Sequence, residues 1–153
     1  MKITGKKSIS NYIKILLQII FVFGVLTIAF LPIVVKYYIQ FLRLDLQNFY
    51  IPCLILLYAS GIPMLVIVQQ FIKLFNSLSI NMPFVQENSS HLKTASICSG
   101  IIALEYIIGI YIFKSIFTFI IVGIFLIAWI GLYILSELFK QAVKFKEEND
   151  LTI

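Results

Sequence analysis

The sequence predicts an all-α integral membrane protein with four transmembrane helices in an antiparallel bundle. Three observations carry that class: four long apolar runs, a composition of 61% hydrophobic and 12% charged residues, and a lopsided distribution of basic residues. The runs cover residues 15–35, 49–68, 94–113 and 115–136, each 20 to 22 residues long, and only Glu105 carries a full charge within them. An α-helix rises about 1.5 Å per residue, so about 20 residues cross the ~30 Å hydrocarbon layer of a bilayer. A soluble domain carries about 25% charged residues. A soluble bundle would also need a polar face on each helix, and these runs have none.

The first run holds 21 uncharged residues and ends at Leu31-Pro32-Ile33-Val34-Val35. Signal-peptide cores span about 7–15 residues and end in small residues, so this run is expected to stay as an anchor. The loop after it, 36–48, is ringed by Tyr37, Tyr38, Phe41, Phe49 and Tyr50. Such rings favour the headgroup zone, which predicts an interfacial belt; a ligand-binding mouth is the alternative. Pro32 and Pro63 are candidate kinks, Pro63 at mid-span, because proline lacks the amide donor and crowds the preceding turn.

Below the second run, residues 69–78 keep a helical pattern with Phe71, Ile72, Phe75 and Leu78 on one face, which predicts an extension of that helix along the membrane surface. The pattern stops over 79–85. Pro83 suits the first turn of a new helix, Asn81 its cap, and Glu87 its positive terminus. The third run carries two small-xxx-small pairs, Ser96 with Gly100 and Ser99 with Ala103; the second has Ala59, Ser60 and Gly61, and the fourth Gly123, Ala128 and Gly131. Such residues let helices approach closely in lipid. Phe113-Lys114-Ser115 alone joins runs three and four, so those two must form a tight hairpin. Beyond run four the helix is expected to continue to Lys146, with Leu138, Phe139, Ala142 and Val143 on one face. Lys140, Lys144 and Lys146 lie within reach of lipid phosphates, and a tail of Glu147, Glu148, Asn149, Asp150, Leu151, Thr152 and Ile153 follows. That tail is either solvated or a protein-docking peptide anchored by Leu151 and Ile153. The chain thus reads as one domain, 1–153, with a middle loop at about 69–93 and a helical tail at about 137–153.

Orientation follows from the basic residues. Lys2, Lys6, Lys7, Lys14, Lys73, Lys93, Lys140, Lys144 and Lys146 fall on one side, and Lys36, Arg43 and Lys114 on the other. Nine against three places both termini and the middle loop in the cytoplasm. The net charge of +5 then reads as topology and contact with anionic lipid, not as direct nucleic-acid binding. Cys53 and Cys98 fall at opposite depths, beyond the ~7 Å limit for a disulfide, and are expected to act as small apolar residues. His91 lacks companions for a metal site and is expected to be a solvated polar residue.

Glu105 stands 12 residues from Lys93 and 9 from Lys114, near mid-membrane. A carboxylate there costs several kcal/mol unless it is protonated, hydrated or hydrogen-bonded, so a wholly or partly neutral acid is expected. Thr27, Ser60 and the Trp129 indole lie at similar depth and are its candidate partners. Two readings stand: a proton- or cation-sensitive site facing the bundle interior, or a protonated acid tying helices together.

Two motifs make the chain resemble a family of small bacterial membrane proteins known as domain of unknown function 2975. One is Asn81-x-Pro83-Phe84-x-x-Glu87-Asn88; the other is Phe139-x-x-Ala142-Val143-x-x-x-Glu147-Glu148-Asn149-Asp150-Leu151-Thr152-Ile153. The resemblance extends over the whole chain in length and hydropathy. It departs after the Glu-Asn pair, where the family carries several basic residues and this chain has only His91 and Lys93. Members are often encoded beside a very small helix-turn-helix regulator of the Cro/CI type. The resemblance therefore implies a regulatory membrane partner that binds or restrains such a protein, with opposite charges speeding encounter. The alternative is a small exporter or immunity protein against a toxic compound or peptide, in which Glu105 would couple protons. Either could form homo-oligomers. No pair of acids, nucleophile set or metal spacing points to an enzyme, and no cofactor is implied.

Overall fold

The computed structural model describes residues 4–42, 46–79 and 85–150. The described residues form four α-helices and no strand: α1 Thr4–Phe41, α2 Leu46–Ser79, α3 Gln86–Phe113 and α4 Ile116–Asp150. All four are long and apolar enough to cross a membrane. They have 38, 34, 28 and 35 residues, so each exceeds the ~30 Å hydrocarbon layer at about 1.5 Å per residue. The helices run unbroken through Pro32, Pro52 and Pro63.

Packing follows chain order. α1 lies on α2, α2 on α3 and α3 on α4, and no other pair of described helices packs backbone to backbone. Glycines set the α1–α2 distance: a Cβ on Gly24 would meet Leu65 at 2.8 Å, and one on Gly61 would meet Ile28 at 3.1 Å. Farther along, Leu31, Val35 and Ile39 are buried against Phe49, Tyr50, Cys53 and Leu54. Ile67 joins α2 to Ala95 and Ile102 of α3, and a Cβ on Gly109 would meet Leu56 at 3.3 Å.

α3 is the least apolar helix and the most enclosed. Four of its polar residues, Asn88, Ser89, Ser96 and Ser99, are buried, while Ile97, Ile101, Leu104 and Ile108 are exposed. That is the inverse of a water-soluble protein and suits lipid, where small and polar side chains gather between helices and aliphatic ones face outward. Gly100 makes the closest seat on α4, with the Trp129 ring 3.2 Å from where a Cβ would stand. The small-residue pairs on the third run therefore bear on packing as expected.

The α3–α4 connection is as tight as its length requires. Lys114 takes the left-handed conformation, φ 45 and ψ 35, and its N–H returns to the Ile110 carbonyl. Ser115 caps α4: its Oγ accepts from the Phe117 N–H at 3.3 Å, and its carbonyl from Thr118 at 3.1 Å.

α3 is described from Gln86, after an extended Val85; Asn81, Pro83 and Phe84 lie outside the described residues. Glu87 does fall in the first turn. At the other end, α4 continues through Glu147, Glu148 and Asn149 to Asp150. Glutamate and lysine are good helix formers, and Lys144 and Glu148 make an exposed i,i+4 pair at 3.7 Å, so the acidic stretch is helical. Leu151, Thr152 and Ile153 lie outside the described residues.

Candidate functional site: an interhelical cavity and a buried acid

All four helices border a cavity of about 370 Å³, from Gly24 and Thr27 on α1 through Ser60 and Met64 on α2 to Tyr106 on α3 and Phe125 on α4. It exists because α1 rests on α2 alone and α4 on α3 alone, leaving the row of helices unsealed between its outer members. Its mostly apolar lining favours hydrocarbon over water. A second depression of about 370 Å³ lies against Phe71, Ser99 and Leu132, with Met64 and Phe125 bordering both.

No charged residue lines the first cavity. Of its three hydroxyls, Thr27 donates to its own helix at the Phe23 carbonyl, 2.8 Å, and Ser60 to Leu56, 2.9 Å. Hydroxyls inside helices commonly bond back in this way.

Glu105 is half-buried on α3, between two lining residues in sequence but not itself in the lining. One carboxyl oxygen, Oε2, is fully buried and has no hydrogen-bond partner. None of the three expected partners bonds to it. Thr27 and Ser60 spend their protons on their own helices. Trp129 is turned toward Gly100, where the missing side chain leaves room for the indole, and its carbonyl accepts from Ser96 at 2.8 Å.

The early part of α1, the late part of α2, the first turns of α3 and the middle of α4 are tied by polar contacts between consecutive helices. Ser10 Oγ donates to the Phe75 carbonyl at 3.1 Å, and Lys14 Nζ to Asn76 Oδ1 at 2.7 Å. His91 Nδ1–H donates to the Gln70 side-chain oxygen at 2.7 Å. Ser89 and Ser136 exchange hydroxyl-to-carbonyl bonds of 3.0 and 2.9 Å. His91 is thus half-buried and paired, not a solvated residue. Of the loop motif, Asn88 is fully buried and Glu87 exposed. Of the terminal motif, Glu147, Glu148 and Asn149 are exposed on the last turns of α4. Asn88 thus packs inside the molecule, while Glu87, Glu147 and Glu148 present charge at its surface.

Sequence reasoning missed the Gln70–His91 and Ser89–Ser136 ties. The second had a signal, since Ser89 stands seven residues before Ser96 on the same stripe. Among the described residues no cluster of three His, Cys, Asp or Glu could hold a metal, and Cys53 and Cys98 are free thiols.

No curated protein and no solved structure matches the chain. A family model described as protein of unknown function (DUF2975) matches residues 9–153. The match takes in all four helices and both motifs, and the chain belongs to that family.

Proposed function

We propose that this is a regulatory, non-catalytic protein of the bacterial plasma membrane, an antiparallel four-helix bundle with both termini and the α2–α3 connection in the cytoplasm. Its role is to hold a small, basic helix-turn-helix regulator at the membrane. One observation carries the reading: α4 continues as helix some fourteen residues past Ser136, about 20 Å at helical rise, and displays Glu147 and Glu148 at its exposed end. The acidic last turn, beyond the exposed Lys140, Lys144 and Lys146, suits a basic partner, since complementary charge speeds encounter. The nine lysines at that end support the orientation.

Co-purification with a small helix-turn-helix protein encoded in the adjacent reading frame is the test; an adjacent frame encoding none would count against the reading. Deleting residues 147–153 should abolish capture and alter transcription from the regulator's targets. Retention of the regulator by the truncated chain would remove the tail from the mechanism.

The buried, unpartnered Oε2 of Glu105 favours a second reading, a small exporter or immunity protein that moves a proton on this acid. Glu105→Gln should then abolish resistance to the exported compound without disturbing the fold. The regulatory reading instead expects altered transcription and no substrate flux.

A further inference from the structure

We propose that the cavity between the four helices is a binding site for an uncharged amphiphile of about a dozen heavy atoms, entering sideways from the bilayer with an apolar body and one hydrogen-bonding oxygen. The proposal rests on the helices crossing a membrane and not on the regulatory role.

Size and chemistry both select this class. Small-molecule sites typically enclose about 300–1,000 Å³, with mostly apolar walls and a few polar groups, and this cavity has about 370 Å³. At ~30 Å³ per water-sized unit, that is room for about a dozen heavy atoms. The absence of any charged lining residue excludes an ion, because a buried charge needs a partner. Met64 in the wall is flexible enough to adapt to different shapes.

Hydrogen bonding decides between an amphiphile and a plain lipid tail. Thr27 and Ser60 have their protons engaged within their own helices. The Tyr106 hydroxyl bonds to no described residue, although Tyr106 is a lining residue. A tyrosine hydroxyl in an apolar setting normally finds a partner. Tyr106 stands 13 residues beyond Lys93, about 20 Å along the helix. At that depth a phospholipid offers only hydrocarbon. A hydroxyl or carbonyl on an otherwise apolar guest supplies the missing partner.

Access is lateral. α1 and α4 do not pack on each other, so the gap between them faces lipid. The Gly24 and Gly61 contacts hold α1 close on α2 and give the cavity a fixed wall on that side.

The test is photolabelling of the full chain in phosphatidylcholine vesicles with 3-azioctanol, an eleven-heavy-atom alcohol, and mapping of the adducts by mass spectrometry. Adducts should concentrate on residues 24–31, 57–65 and 102–106, and 1-octanol should compete while octane should not. Tyr106→Phe should weaken 1-octanol competition about fivefold, the expected effect of one hydrogen bond of about 1 kcal/mol. Leu57→Trp, which fills the cavity, should abolish the labelling. Helical circular dichroism and monodisperse elution identify folded variants, and either variant alone suffices. Adducts spread over lipid-facing residues such as Ile55, Phe119 and Ile127 would overturn the proposal. So would competition by octane equal to that by octanol and unchanged in Tyr106→Phe, since the cavity would then be an acyl-chain groove only.

Discussion

The two ends of this molecule are held together by different forces. At the end carrying the termini, side-chain hydrogen bonds link α1 to α2, α2 to α3 and α3 to α4: Ser10 to Phe75, Lys14 to Asn76, Gln70 to His91, and Ser89 to Ser136. Toward the α3–α4 hairpin, the Tyr50 hydroxyl donates to the Pro32 carbonyl at 3.3 Å. Apolar contacts accompany it: Leu31, Val35 and Ile39 under α2, and the Phe49 and Phe113 rings 6.4 Å apart. The difference matters because lipid removes the solvent drive for apolar contact. Dispersion and hydrogen bonding are left to specify which helices meet. The polar ties therefore fix which helix faces meet.

The largest effect should come from the α3–α4 seam. Gly100→Leu drives a side chain into the Trp129 ring and should destabilise by about 3 kcal/mol, as overpacking does. Gly123→Leu and Gly131→Leu, where a Cβ meets nothing within 4 Å, should change stability by less than about 0.5 kcal/mol. Reversible unfolding in mixed micelles measures all three. If Gly123→Leu proved as harmful as Gly100→Leu, the packing order would be wrong.

Next comes the serine exchange. Ser89→Ala should cost about 1 kcal/mol, in the range for buried hydrogen bonds within membranes. A double-mutant cycle with Ser136→Ala should show strong coupling, because each hydroxyl bonds the other's carbonyl. Additive effects would deny that this pair ties the end.

A change of opposite sign is expected at the hairpin. Lys114 holds a left-handed backbone at φ 45, which costs an L-residue about 1 kcal/mol, so Lys114→Gly should stabilise by roughly that amount. The smallest effect belongs to the apolar end: Tyr50→Phe loses one long bond and should cost about 0.5 kcal/mol. A larger loss there than at Ser89 would invert the comparison.

Much of this architecture was legible in the residues. Apolar run length gives four helices directly, because the bilayer sets a minimum that few soluble helices meet. Ser96 with Gly100 announced a close seat, and Phe113-Lys114-Ser115 left room only for a tight turn. The site was less legible. Gln70 and His91 are 21 residues apart on different helices, and no local pattern pairs them. Depth counting put Thr27, Ser60 and Trp129 level with Glu105, yet the two hydroxyls bond their own helices and the indole fills the space over Gly100. Depth is a one-dimensional coordinate; partnership depends on rotation about the helix axis as well. The cavity follows from α1 and α4 not meeting, and no sequence period encodes a contact that is missing.

The claim on which the rest depends is that these helices cross a bilayer with both termini on one side and the α3–α4 hairpin on the other. Single cysteines at Ser10, Lys114 and Asn149, introduced with Cys53 and Cys98 replaced by serine, read this out through a membrane-impermeant maleimide. Intact cells should label Lys114→Cys alone, and permeabilised cells all three. Labelling of Ser10→Cys or Asn149→Cys in intact cells, or protection of Lys114→Cys there, would contradict the account.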